Sequence, residues 1–367
     1  MTDTGSVEQD PFTKAAGAYL ANAFERDGAF VAADGSVTSE AQSYGLLRAL
    51  WSNDPGGFAR IWGWTQAHLL RPDGLSSWLW KDGKVADAST ASDADTDTAY
   101  ALLTAAHRWD SAAYQAHGET MVAAIWAKEV VQVGTIPYAT AGDWATGKDV
   151  LPLNPSYFAP YAYRVFGKLD PAHDWYGLLK GGYQMIDAAS KATLGGPRSA
   201  GLPPDWIGLN RSTWALEPLA LPGPLSGKDT TRYSFDAARL FWRVALDGRW
   251  TGDGRDAAFL QRASFLAEEV GRKGTVSAAY GHDGSVVEEG PSPVATAGAL
   301  AALMHIDPVK ADQLYAHAIA EPSAQQQSPQ GTYWGDPTDL YGQEWTWFAA
   351  AFYSNHIPDL WGGGLST

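Results

Sequence analysis

Three segments of the chain combine a carboxylate with aromatic and turn residues in a way that suits acid–base chemistry. The first is residues 38–45, TSEAQSYG. Here Ser39 is a predicted N-cap, which puts Glu40 in the first turn of a helix. For this segment alone, the simpler interpretation is a surface glutamate whose negative charge is stabilised by the helix dipole.

The second segment, residues 91–100 (ASDADTDTAY), opens an apolar helix that runs to Trp109. Ser92 and Asp93 could do no more than cap this helix. However, acidic residues at 93, 95 and 97 repel one another unless at least one of them meets a partner. Residues 93 and 97 are predicted to share one face of the helix.

The third segment is residues 232–239, RYSFDAAR. Asp236 lies between aromatic and apolar residues at a predicted helix start, with an arginine on either side. A partly buried ion pair with Arg239 or Arg232 is the alternative to a chemical role.

Several other chemistries are disfavoured by the sequence. Residues 142–148 (GDWATGK) have the spacing of a phosphate loop, but Asp149 stands where Ser or Thr should hold magnesium. The acidic run from Asp93 has Thr98 and Thr104 where a calcium loop needs Gly and Glu. The eight histidines form no HExxH or HxxxH pair, no GxSxG elbow occurs, and there is no cysteine.

Composition narrows the ligand class. The net charge of −15 over 367 residues disfavours binding to nucleic acid or to anionic lipid. The chain carries 17 Trp. About half of these are expected in the core, and the others suit stacking on the apolar face of a sugar ring. No apolar run is long enough to cross a membrane.

Apolar spacing predicts helices nearly throughout the chain, separated by Pro- and Gly-rich turns. A β-hairpin is predicted at 275–290, and no large sheet is expected. No low-complexity linker divides the chain, so we predict one domain over residues 1–367. The predicted helices are 11–25, 39–53, 56–70, 91–109, 111–130, 156–167, 172–189, 232–247, 255–271, 292–305, 308–320 and 341–354.

Taken together, the three segments resemble glycoside hydrolase family 8, the family of bacterial cellulases, xylanases and related enzymes. The matching motifs keep the family order from about residue 39 to 239. They are SEAQSYG at 39–45, ASDAD at 91–95 with its helix ending at Trp109, NPSY at 154–157, PDW at 204–206 and FDAAR at 235–239.

The resemblance implies an all-α fold, an (α/α)6 barrel of six helical hairpins, in agreement with the dozen predicted helices. It implies that Glu40 is the proton donor, that Asp236 is the base that activates water, and that Asp93 binds the sugar at the cleavage point. Trp78 matches a sugar-stacking position. The substrate-binding residues expected on this basis are Trp78, Tyr44, Trp144, Tyr157, Trp206, Arg239 and Asp95.

This chemistry sets physical requirements. An inverting mechanism needs room for water between the two carboxyls, a separation of ~6.5–9.5 Å. Glu40 must stay protonated near neutral pH against the pull of a helix N-terminus, so burial and the charge of Asp93 are expected to raise its pKa. Asp236 should stay ionised, with Arg239 helping. No cofactor or metal is expected, since acid–base hydrolysis needs none.

Two residues depart from the family pattern: Ala41 replaces a Gly and Phe235 replaces a common Tyr. The predicted function is an inverting endo-β-1,4-glucanase, a cellulase, acting on cellulose as food or during cellulose synthesis. The alternatives are an endo-β-1,4-xylanase of the same family, a non-catalytic polysaccharide-binding protein, and a lyase on a similar barrel. We expect a monomer that is secreted, with its leader removed, because a polymeric substrate does not enter the cytoplasm.

Overall fold

The computed structural model describes residues 10–221, 227 and 229–362, and helices dominate these residues. They are α1 (Pro11–Ala23), α2 (Ser39–Trp51), α3 (Pro55–His68), α4 (Ser92–Trp109), α5 (Ala112–Glu129), α6 (Pro160–Leu169), α7 (Trp175–Lys191), α8 (Phe235–Thr251), α9 (Gly254–Leu260), α10 (Ser264–Lys273), α11 (Pro293–Ile306), α12 (Pro308–Tyr315) and α13 (Leu340–Tyr353).

Six of these helices close into an inner ring. Going round it, α2 packs on α4, α4 on α6, α6 on α8, α8 on α11, α11 on α13, and α13 on α2. In the same order, each inner helix also packs on an outer one, and these are α3, α5, α7, α9, α12 and α1. These six hairpins form the predicted (α/α)6 barrel.

The inner helices are buried on nearly every side. In α4 every residue from 92 to 106 is buried, and in α11 every residue from 294 to 303. A helix without a polar face is stable in water only when other elements surround it. Small residues let the inner helices pack closely: a Cβ on Gly298 of α11 would lie 2.1 Å from the carbonyl oxygen of Ala238 in α8.

The strands form small sheets at the ends of the helices. Within the described residues the antiparallel sheets are β1–β2, β3–β4–β5, β6–β7, β8–β9–β10, β11–β12 and β13–β14. Their bounds are β1 (Glu25–Arg26), β2 (Ala29–Phe30), β3 (Val37–Thr38), β4 (Leu79–Lys81), β5 (Lys84–Asp87), β6 (Val130–Val133), β7 (Ile136–Ala139), β8 (Val150–Leu153), β9 (Ile207–Asn210), β10 (Leu216–Glu217), β11 (Ala279–Tyr280), β12 (Val286–Glu288), β13 (Gln325–Ser328) and β14 (Gly331–Trp334).

Most of the predicted elements are confirmed, including the hairpin within 275–290, which is β11–β12. The helix predicted at 255–271 was wrong in one respect, because a 3₁₀ turn at 261–263 divides it into α9 and α10. The helix predicted from residue 156 begins at Pro160, after a separate 3₁₀ turn at 155–157.

The predicted cap of α2 was wrong, and the alternative by which Ser92 and Asp93 only cap α4 is wrong as well. Thr38 rather than Ser39 caps α2, because its hydroxyl accepts from the backbone N–H of Ala41. Ala91 occupies the N-cap position of α4 without a side-chain bond, while Ser92 Oγ donates to the carbonyl of Thr140 at 2.5 Å. The cap of α2 differs by one residue from the predicted position, so Glu40 remains in the first turn.

Candidate active site

The first turns of three inner helices bring the predicted carboxylates together at one end of the barrel. Glu40 lies in the first turn of α2, Asp93 in that of α4 and Asp236 in that of α8. Arg239 follows Asp236 by nearly one turn and contacts all three carboxylates. Glu40 and Arg239 are 199 residues apart in the chain, so closure of the ring brings them into contact.

The guanidinium of Arg239 is the centre of the cluster and is 1% exposed. Its Nη1 contacts Glu40 and lies 2.9 Å from Asp93 Oδ2. Its Nη2 lies 2.5 Å from Asp236 Oδ1 and donates to Ser156 Oγ at 2.8 Å. One cation cannot neutralise three carboxylates, so the arrangement favours a proton on one of them.

Glu40 is the carboxyl best placed to keep that proton. Burial raises its pKa to about 7, and the charges of Asp93 and Asp236 act in the same direction, against Arg239 and a hydrogen bond from Tyr44. The Tyr44 hydroxyl donates to Glu40 Oε1 at 3.2 Å. Burial and the charge of Asp93 are the causes expected from the sequence. The Glu40 side chain remains 29% exposed, which leaves it access to a ligand.

The three acids of α4 have three different partners, which relieves their mutual repulsion. Asp93 pairs with Arg239, and burial raises its pKa. Asp97 pairs with Arg243 through two bonds of 2.7 and 2.6 Å. Asp95 is fully buried, accepts from the backbone N–H of Ser76 at 2.8 Å, and has a pKa raised by burial to about 8. Asp95 therefore holds the backbone beside the site.

Asp236 is held from two sides. In addition to Arg239, the indole Nε1 of Trp206 donates to Asp236 Oδ2 at 3.0 Å. Its helix is anchored by Asp205, a buried residue that the sequence analysis did not single out. Asp205 Oδ1 accepts from the backbone N–H groups of Ser234 and Ala237, each at 2.9 Å. Asp205 thus caps the N-terminus of α8 from outside that helix. Its place in the PDW motif was the only sequence signal for such a role.

A cleft of about 500 Å³ opens over Glu40 and Asp236. Phe235 lines it and is 40% exposed, so a large apolar ring stands where the resemblance implies a common tyrosine. Tyr341 and Glu344 of α13 line it as well, and neither was predicted because both lie beyond the motifs. The Tyr341 hydroxyl donates to the carbonyl of Phe235 at 3.0 Å, which ties α13 to the start of α8.

The predicted aromatic residues surround the site to different degrees. Tyr157 and Trp206 pack together at 5.7 Å between ring centroids, and Trp144 packs in the same small cluster. The Tyr157 ring lies 5.4 Å from the Arg239 guanidinium. Trp78 is partly exposed, and its backbone carbonyl accepts from the N–H of Ser39, next to the acid.

The remaining predicted contacts differ in their access to solvent. Tyr44, Arg239 and Asp95 are almost completely buried, where they hold other site residues. Direct contact of these three side chains with a substrate stays a prediction, as do the roles assigned to Glu40 and Asp236.

The described residues contain neither a cluster of side chains that could hold a metal ion nor a helix that could span a membrane. No three of their His, Asp or Glu side chains are arranged to hold a metal ion. None of the helices in ranges 10–221 and 229–362 combines the length and apolar character needed to cross a membrane.

The family model and the curated relatives that match this chain all concern glycoside hydrolases. The family model described as Glycosyl hydrolases family 8 matches residues 30–347, beyond the last motif residue recognised in the sequence. An endoglucanase of Xanthomonas axonopodis pv. citri (strain 306) is 32% identical over 272 residues, which are 68% of this chain and 64% of that protein. An endoglucanase 2 of Ruminiclostridium josui is 28% identical over 64% of this chain and 48% of its own length.

The chain therefore spans about half to two thirds of the length of these curated relatives. Among solved structures, a β-1,3-1,4-glucanase from Paenibacillus sp. X4 superposes with a TM-score of 0.80. It is 21% identical, and the match covers 97% of this chain and 96% of that one. This likeness supports the barrel fold.

Proposed function

The chain belongs to glycosyl hydrolases family 8, and on that premise we propose that it is an inverting endo-β-1,4-glucanase. Glu40 donates a proton to the leaving glycosidic oxygen. Asp236 removes a proton from a water molecule that attacks the anomeric carbon from the opposite side of the ring. Asp93 binds the sugar at the cleavage point.

The observation that carries this proposal is the sharing of one guanidinium by Glu40 and Asp236 in a single cleft. The two carboxyls differ in the way that the reaction needs. Glu40 has a pKa of about 7 and so holds a proton near neutral pH. Asp236 accepts hydrogen bonds from Arg239 and from Trp206, which hold its carboxyl group in the cleft beside Glu40.

The two bonds that Asp236 accepts also orient the base. Each of its oxygens has a fixed donor, so rotation of the carboxylate about its Cβ–Cγ bond is restricted. Preorganisation of this kind lowers the cost of reaching the geometry of the transition state. Asp205, as the anchor of α8, supports both Asp236 and Arg239.

The substrate proposal rests on the aromatic cleft and on the relatives, whose printed names are endoglucanases. A neutral β-1,4-glucan suits the acidic chain, whose net charge is −15. We propose in addition that residues 1–367 form one catalytic domain, that the protein acts as a monomer, and that it is exported, since its polymeric substrate lies outside the cytoplasm.

The test compares the wild type with Glu40→Gln and Asp236→Asn on carboxymethyl cellulose, mixed-linkage β-glucan and xylan, with reducing ends as the readout. Glu321→Gln, on an exposed side chain, is the matched control. We expect cleavage of the glucans, a drop of about 10²–10⁴-fold in both site variants, and no change in the control. Circular dichroism checks that each variant is folded.

Proton NMR during the first turnovers distinguishes the stereochemistry, because inversion at a β-linkage releases the α-anomer first. An initial β-anomer, or a Glu40–Asp236 carboxyl separation near ~5 Å in a crystal structure, would indicate a retaining enzyme. Activity on xylan alone would change the substrate and leave the roles of the two carboxyls in place. A Glu40→Gln variant as active as the wild type would refute the assignment of the acid.

A further inference from the structure

Trp214 differs from every other tryptophan of the chain. All 17 tryptophans lie within the described residues, and Trp214 is the only one that is exposed, at 45%. It lies in the turn between β9 and β10. No hydrogen-bond partner of its indole N–H lies within the parts of the chain that the structure describes. An exposed indole offers both an apolar face and a polar N–H to a ligand, which suits a binding surface.

The hydrogen bonds of the turn at 210–214 set the position of the indole. Trp214 has φ +64, a left-handed conformation that is unfavourable for a residue with a side chain. Its backbone N–H donates to the carbonyl of Asn210 at 2.8 Å. The Asn210 side chain accepts from the N–H groups of Ser212 and Thr213, each at 3.1 Å. The turn therefore has a defined shape that presents the ring.

Gly134, in the turn between β6 and β7, lies against one edge of the Trp214 ring. A Cβ at Gly134 would lie 2.3 Å from Cζ2 and 2.4 Å from Cη2 of Trp214, but 3.6 Å from Cε2. These distances mean that Gly134 meets the edge of the six-membered ring, so Gly134 covers neither of its faces. Any side chain at this position would displace the indole.

The same strand connects Trp214 to the catalytic cleft. β9 begins directly after Trp206, whose indole donates to Asp236, and ends at Asn210, which anchors the Trp214 turn. Four extended residues span about 13 Å. The Trp214 turn therefore lies about 13 Å along the strand from Trp206, the residue that holds Asp236.

We propose that Trp214 is a distal binding platform for the same β-1,4-glucan chain, stacking on a pyranose ring several sugars away from the cleavage point. The proposal rests on the proposed function for its ligand. An open indole face binds the apolar C–H face of a pyranose, and the free N–H can donate to a ring hydroxyl. A long chain would bridge the cleft and the platform, whereas a short oligosaccharide would occupy the cleft alone.

The test compares Trp214→Ala and Trp214→Phe with the wild type on a soluble β-glucan polymer and on cellotetraose. Tyr176→Ala is the matched control, because Tyr176 is a 39% exposed aromatic on α7. We expect Trp214→Ala to raise KM for the polymer by about threefold to tenfold with kcat unchanged, and to leave cellotetraose kinetics unaltered. Trp214→Phe should recover most of the loss, and the control should behave as the wild type.

Binding measured separately from turnover completes the test. In the Glu40→Gln background, affinity electrophoresis in gels containing β-glucan should show weaker retardation with Trp214→Ala. If Trp214→Ala is active and its KM for the polymer and its retardation in the gel are unchanged, the proposal for Trp214 is wrong and the proposed function still stands. Equal losses on polymer and cellotetraose would overturn the proposal for Trp214 too. A wild type that neither binds nor cleaves β-glucan would overturn both proposals. A dimer that Trp214→Ala converts to a monomer, with unchanged polymer KM, would assign the ring to self-association instead.

Discussion

The hydrogen bond from Tyr44 to Glu40 should set part of the pH range in which the acid works. Tyr44 is 1% exposed, donates to Glu40 Oε1 at 3.2 Å and accepts from Arg239 Nη1 at 3.0 Å. The bond favours the ionised form of Glu40 and so lowers its pKa. Tyr44→Phe removes the hydroxyl, keeps the ring in the core, and should raise the Glu40 pKa above about 7.

The size of the shift follows from the strength of the bond. A hydrogen bond to a charged group contributes about 1.5–3 kcal/mol, or about 1–2 pKa units at 1.36 kcal/mol per unit. The observed 3.2 Å is long for an O–H···O bond, which places this one at or below the weak end of that range. Arg239, freed from Tyr44, also interacts more strongly with Glu40 and opposes the change. We therefore expect an increase of about 0.5–1 unit.

The assay is the pH dependence of kcat/KM on a soluble β-glucan. A general acid works in its protonated form, so a higher pKa must move the alkaline limb of the profile to higher pH. Tyr157→Phe is the control, because the Tyr157 ring also contacts Arg239 but its hydroxyl donates no hydrogen bond to Glu40 within the described residues. An alkaline limb that stays in place or moves to lower pH in Tyr44→Phe would refute the reasoning.

Three further perturbations test the supports of the site. Asp205→Asn deprives buried donors such as Ser234 of a charged acceptor, and should lower the free energy of unfolding in urea by about 1–3 kcal/mol and reduce kcat; a variant with wild-type values for both would contradict the anchoring role. Gly298→Ala places a Cβ against the carbonyl of Ala238, and should lower the free energy of unfolding by about 1–3 kcal/mol, measured as a lower Tm. An unchanged Tm would mean that α8 and α11 can move apart without loss of stability. Burial raises the Asp256 pKa to about 8, so its contribution to stability is full below the unfolded pKa of about 4 and is lost as pH rises towards 8. Asp256→Asn cannot ionise, and the difference in Tm between pH 5 and pH 8 should be smaller in the variant; an equal difference would exclude Asp256 as a source of the pH dependence.

Local sequence predicted the helices well because most are long and their ends carry punctuation. Pro11, Pro55, Pro160, Pro293 and Pro308 each stand at a helix start. The predictions that failed were local alternatives of similar energy. Thr38 and Ser39 are both good caps, and the choice between them depends on the preceding strand β3. At the break at 261–263 the packing changes, because α9 contacts both α8 and α11 whereas α10 contacts α11 and α12, and the helical pattern does not contain these contacts.

Motifs likewise identified the carboxylates but not everything that supports them. Glu40, Asp93 and Asp236 were found from short segments because each stands at a helix start among unusual neighbours. Tyr341 and Glu344 were missed because they belong to an ordinary apolar helix, α13. Their proximity to the cleft arises only when α13 closes the ring against α2.

The amino-acid sequence by itself determined the helical class and the residue types available for acid–base chemistry, since these depend on local spacing and composition. The family followed from the resemblance of its ordered motifs. The tertiary structure decided which residues share a charge environment. It gave the three acids of α4 separate partners, and it placed Glu40 and Asp236 on one guanidinium. It also placed Trp214 in the turn after a strand that begins next to Trp206, the residue that donates to Asp236. Electrostatic effects depend on distance and burial, and both are set by contacts between residues that are remote in the chain.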